Sequence, residues 1–126
     1  MIYFISGHRN LTEKEFIDNY ALKIENIMRE DSSASFVVGD WEGCDTMFLN
    51  FIKHTYYFQP RICIYYVDKP RVDLEGLQNV DLFNKKTYDE CDASMTQDSD
   101  FDVAWIRPGR EDSHTALNIK RRYGLF

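Results

Sequence analysis

Ile2-Tyr3-Phe4-Ile5-Ser6-Gly7-His8-Arg9, followed by Thr12-Glu13-Lys14-Glu15, holds the architecture of the chain in miniature. The first four residues form a short, unbroken apolar run, the pattern of a strand buried on both faces. Ser6-Gly7 ends it. Thr12 and Glu15 then have the spacing of a capping box: the threonine hydroxyl accepts from the amide of residue 15, and the glutamate reaches back to the amide of the cap. Phe16, Tyr20, Ile24, Ile27 and Met28 recur at helical spacing behind it. A strand, a glycine turn and a capped helix from about 13 to 29 follow.

The same order recurs outward from this unit. Ser35-Phe36-Val37-Val38 is a second short strand closed by Gly39. Met47, Phe48, Phe51 and Ile52 mark a helix within 44–53. Arg61 to Val67 is β-branched and aromatic, hence a third strand. Residues 68 to about 84 show no period, contain Pro70 and Gly76, and read as a loop. Residues 86–97 read as a helix through Tyr88, Cys91 and Met95, and 101–106 as a fourth strand. Ser113 caps a last helix through Ala116, Leu117 and Ile119 toward Arg122, which Gly124 ends. Alternating strands and helices predict the α/β class, a three-layer α/β/α sandwich with a mainly parallel sheet of four to five strands. A single domain spanning 1–126 is expected. In such sheets ligands sit outside the carboxyl ends of the strands, where strand order reverses. Three loops, 6–12, 39–45 and 107–115, therefore carry the expected site.

Composition narrows the partners. Fifteen basic and 21 acidic residues leave a net charge of −6. That balance argues against a general nucleic-acid surface and against an anionic membrane, while leaving room for a small anion held locally. No run approaches the roughly 20 apolar residues that cross a bilayer. Residues 1–5 lack a basic leader and read as a strand. Cys44, Cys63 and Cys91 are odd in number and widely spaced, so disulfides and structural zinc are not expected. A reducing cytoplasm is the expected home, and no motif calls for a metal or an organic cofactor. Six acids between 89 and 102 (Asp89, Glu90, Asp92, Asp98, Asp100 and Asp102) read as a solvated face, and Lys120-Arg121-Arg122 as charges suited to a helix C-terminus.

The loops themselves suggest an anionic ligand. In the first, Ser6, Gly7, His8 and Arg9 follow the strand directly, and Arg9 or His8 suits a phosphate or carboxylate. In the second, Gly39, Asp40, Gly43 and Asp45 surround a helix start, where free amides favour an anion. Asp45 either caps that helix or receives a ribose hydroxyl. In the third, Arg107-Pro108-Gly109-Arg110 turns the chain into Ser113-His114-Thr115 at another helix start, where hydroxyls, amides and guanidinium groups suit a phosphate.

Together the three loops resemble the SLOG superfamily of Rossmann-like proteins. Ile5-Ser6-Gly7-His8-Arg9 is similar to that family's first strand and turn. Val38-Gly39-Asp40-Trp41-Glu42-Gly43-Cys44-Asp45 is similar to its second-strand pattern, and Ser99 to Ile106 with Pro108-Gly109 and Ser113-His114-Thr115 to its phosphate-binding turn. The resemblance implies a nucleotide or nucleotide-derived small ligand bound at the sheet's carboxyl edge, for sensing or sequestration, in a homo-oligomer. In the hydrolase branch a glutamate follows the turn; the matching position here is Asn118, and an amide cannot replace a carboxylate base. The alternative activity is an N-glycosidic hydrolase or deoxyribosyltransferase acting on nucleoside 5′-monophosphates. It would draw its carboxylate from Glu111 or Asp45, with Asp92 as a further candidate. Trp41, Tyr3 and Trp105 are the expected stacking partners of a base, and Phe51 to Phe58 the expected subunit interface.

Overall fold

A computed structural model describes residues 1–124. Five strands form one all-parallel sheet in the order β4-β3-β2-β1-β5: β1 Ile2–Ser6, β2 Ser35–Val38, β3 Arg61–Val67, β4 Val80–Lys85 and β5 Phe101–Ala104. The α/β class and the three-layer, Rossmann-like sandwich are as the alternation predicted. Side chains alternate strictly across the sheet. Ile5, Phe36, Val38, Ile62, Ile64 and Val103 face one core, and Phe4, Val37, Cys63 and Tyr65 face the other.

Helices cover both faces. On the first lie α1 Glu13–Phe16, a π-helical turn at Ile17–Ala21, α2 Leu22–Glu30 and α3 Cys44–Thr55, which contribute Phe16, Tyr20, Ile24, Phe48 and Ile52. On the second lie α4 Tyr88–Gln97, with Cys91 and Met95 in the core, and α5 His114–Tyr123 packed against α4. The capping box at Thr12 and Glu15 is present, as are the caps at Thr87 and Ser113. The π turn departs from the expected regular helix. Phe16, Tyr20 and Ile24 are spaced by four, which in a regular α-helix turns each about 40° past the one before while keeping them on one broad stripe. The wider turn lies within that stripe, and all three are buried.

Two expectations change. Residues 68–84 are not all loop, because Val80–Lys85 forms the edge strand β4. Val80 packs on one face and Phe83 on the other, while Leu82 stays exposed, so no clean alternation marks it. Strand β5 stops at Ala104, not residue 106, because the Trp105 amide donates to the Tyr20 hydroxyl at 3.0 Å. The acidic stretch also has structural work. Asp98 accepts from the Tyr65 hydroxyl, Asp100 from the Ile2 amide, and Asp102 pairs with Arg122 through both oxygens. All three cysteines are free and buried.

Strand order sets the location of a crevice. The chain steps outward from β1 through β2 and β3 to β4, then returns to place β5 on the other side of β1. The helix after β1 packs on one face and the helix after β5 on the other. Their loops diverge at the β1–β5 boundary, the reversal point where doubly wound sheets hold ligands.

Candidate functional site

A cleft of about 510 Å³ opens at that boundary. Loop 1 supplies Ser6, Gly7, His8, Arg9 and Asn10; loop 2 supplies Gly39, Trp41 and Asp45; loop 3 and the start of α5 supply Arg110, Ser113, His114, Thr115 and Asn118. Tyr65 at the end of β3 and Tyr88, Cys91, Asp92 and Met95 of α4 form the remaining wall. The three loops singled out in the sequence thus meet in one crevice. Of the α4 wall only Asp92 was among the sequence candidates; the spacing of Tyr88, Cys91 and Met95 marks a helix face turned to the core, and part of that face borders the cleft instead.

Several expected residues serve elsewhere. Arg107 is wholly engaged: Nε and one terminal nitrogen donate to both Glu15 oxygens at 2.9 and 2.6 Å, and the other terminal nitrogen donates to Asn10 Oδ1. This clamp, together with the Thr12 amide, pulls the Glu15 carboxyl down to about 2. Pro108, Gly109, Asp40 and Gly43 do not line the cleft. Glu111 is exposed and accepts from the Gly109 amide, so it stands outside the cleft as well. Tyr3 sits with Phe36 and Phe101 at the opposite end of β1. Trp105 packs edge-on to His8.

His8 acts as a pin. Its Nε2 accepts from the Arg107 amide at 2.8 Å, its carbonyl accepts from the amides of Leu11 and Cys44, and the ring is buried. Burial, then Arg107 and Arg110, lowers its proton affinity, so the ring is neutral and cannot serve as the cation for a phosphate. Tyr20, carried by the π turn, donates to the Ser6 carbonyl at 2.7 Å while accepting from the Trp105 amide. One hydroxyl thus ties together the ends of β1 and β5, where the crevice begins.

Four groups in the cleft stand out chemically. The Ser6 hydroxyl is buried and has no hydrogen-bond partner among the described residues. Near α5, Ser113 has used its own hydroxyl on the Ala116 amide, which leaves the first amides of that helix directed outward. Asp45 is buried at the start of α3, and its Oδ2 accepts from the Trp41 amide. Gly39 has no side chain to collide with that carboxylate; a Cβ there would lie 2.8 Å from it. Burial pushes the Asp45 carboxyl up to about 7 against the Trp41 hydrogen bond, with Asp92 and Asp40 adding in the same direction. Burial also raises Asp92, although His114 stands 3.5 Å away. Among the described residues no three His, Cys, Asp or Glu side chains are grouped to hold a metal, and no helix is long and apolar enough to cross a membrane.

No protein-family model, curated protein or solved structure matches the chain.

Proposed function

We propose that the protein binds a nucleotide or nucleotide-derived small ligand in this cleft, for sensing or sequestration, as a cytoplasmic homo-oligomer of the SLOG type. The observation that carries the reading is an anion-binding set and an aromatic plane in one cleft. Among the described residues the buried Ser6 hydroxyl lacks a partner, and it lines the same cleft as the α5 N-terminus and Arg110, which suits a phosphate. Trp41 offers the aromatic plane. Three buried thiols suit a reducing compartment. Thermal melts with a panel of nucleoside 5′-monophosphates test the reading. At a hundredfold excess over Kd a ligand adds about 2.7 kcal/mol of stability. Ser6→Ala is expected to weaken monophosphates while leaving nucleosides unchanged; a panel that shifts nothing refutes the reading. Sedimentation showing only a 15 kDa species would remove the oligomer.

One observation favours the second reading, cleavage of an N-glycosidic bond. Asp45 and Asp92 are both held more basic than ordinary carboxyls inside the cleft, the condition a general acid or base needs near neutral pH. Free base released from monophosphates by the native chain, and lost in Asp45→Asn, would establish it. Intact nucleotide after long incubation leaves binding alone.

A further inference from the structure

Trp41 is held between two arginines. The guanidinium carbons of Arg9 and Arg71 stand 3.5 and 3.4 Å from the indole centroid. One face of a ring has no room for both groups at that distance, so they lie on opposite faces. The indole itself is firmly presented. Its backbone amide donates to Asp45, and its carbonyl accepts from the Thr46 hydroxyl at 3.0 Å.

The two arginines are not equivalent. The backbone of Arg71 donates to Asp40 Oδ2 at 3.1 Å, and its guanidinium lies 3.6 Å from Asp40 Oδ1, a carboxylate with no exposed surface. The same guanidinium also covers the Tyr88 ring at 4.6 Å. That face of Trp41 is covered by a guanidinium that lies beside a buried carboxylate. Arg9 borders the cleft, is exposed, and makes no side-chain hydrogen bond or ion pair among the described residues. Only the stack holds it, and the fixed cation behind the ring opposes that hold, because both guanidinium groups draw on the same ring electrons and repel each other.

We propose that the cleft-side face of Trp41 is the stacking subsite for a planar base, purine in preference to pyrimidine, and that Arg9 covers it until the base displaces the guanidinium. This rests on the nucleotide reading above. A bicyclic, electron-rich base overlaps the indole more fully than a pyrimidine and is favoured by an indole polarised by Arg71. The displaced guanidinium stays tethered to loop 1 at the cleft mouth and pairs with the anionic part of the same ligand. Arg9 thereby links the two ends of the ligand: the base evicts it and the phosphate receives it.

Tryptophan emission and melting curves with AMP, UMP, adenosine and ribose 5-phosphate test this. AMP is expected to quench the native protein, UMP to bind more weakly, and ribose 5-phosphate to raise the melting temperature without quenching. Trp41→Phe, which keeps Trp105, should lose the quench and about tenfold in AMP affinity. Arg9→Ala should shrink the preference for AMP over adenosine by about tenfold while holding or improving adenosine binding. Quenching that survives Trp41→Phe, an unchanged AMP-to-adenosine ratio in Arg9→Ala, or UMP binding as tightly as AMP overturns this inference and leaves the nucleotide reading intact. If neither AMP nor ribose 5-phosphate shifts the melt, the nucleotide reading falls and this inference falls with it.

Discussion

Among the carboxyls that line the cleft, Asp45 is held far above the ordinary carboxylate range by burial. Its carboxyl is raised to about 7, so between about pH 4 and 7 the folded protein retains a proton that the unfolded chain has released. Stability therefore falls as pH rises through that window, by about 1.4 kcal/mol per unit at the steepest, and the loss is complete above about 7. Asp45→Asn removes the titration and keeps an oxygen for the Trp41 amide. Melts from pH 5 to 8 are expected to slope downward in the native protein and to flatten in the variant; parallel slopes would show that Asp45 does not control this limb. Glu15 has the opposite sign. Its depressed carboxyl contributes stability that is present above the ordinary glutamate range and lost as pH falls toward about 2. In Arg107→Ala that carboxyl should rise but stay below its ordinary value, because the Thr12 amide still donates to it, and NMR would show the rise directly.

Within the elements, the π turn and the glycine before α3 hold the site's shape. Tyr20→Phe leaves the Ser6 carbonyl and the Trp105 amide without their partner, at an expected cost of about 1–3 kcal/mol by chemical denaturation. A smaller loss would mean that β1 and β5 hold together without it. Gly43 has φ +78°, and a Cβ there would meet the Arg9 carbonyl oxygen at 2.2 Å. Gly43→Ala is therefore expected to cost roughly 2–4 kcal/mol and to push loops 1 and 2 apart, with a change in Trp41 emission as the local sign. Both effects rest on unequally legible signals. The strand, the capping box and Gly43 stand out in the sequence because each is a local pattern. The π turn does not, since a four-residue spacing also fits a regular helix. Strand β4 was hidden because each of its faces mixes apolar and polar residues, Val80 and Leu82 with Asn84 on one and Phe83 with Asp81 and Lys85 on the other. Arg71 was missed because its place depends on Asp40 and Trp41, both some 30 positions away in the chain.

At the scale of the whole molecule, every strand pairing is parallel, so none forms as a hairpin and each waits for a crossover. Amide exchange should show the greatest protection in β1, β2 and β3, where Phe4, Ile5, Phe36, Val38 and Ile64 are sealed on both sides, and early opening in β4 and β5. Equal protection across all five would contradict this hierarchy. The expected interface at 51–58 divides physically: Phe51 and Tyr56 pack on the core, while Tyr57 and Phe58 are more than four-fifths exposed. One further consequence follows from the connection between β3 and β4, which is an irregular segment, 68–79, where a helix would be usual. Pro70 shields the Lys69 bond from trypsin, so the Arg71–Val72 bond is the one a protease meets on this exposed stretch. Arg71 is also the fixed cation behind Trp41. Nicking at that bond therefore acts as a clock for the cleft: whatever tightens the indole against Arg71 slows the cut, and the digestion rate reports occupancy without a label.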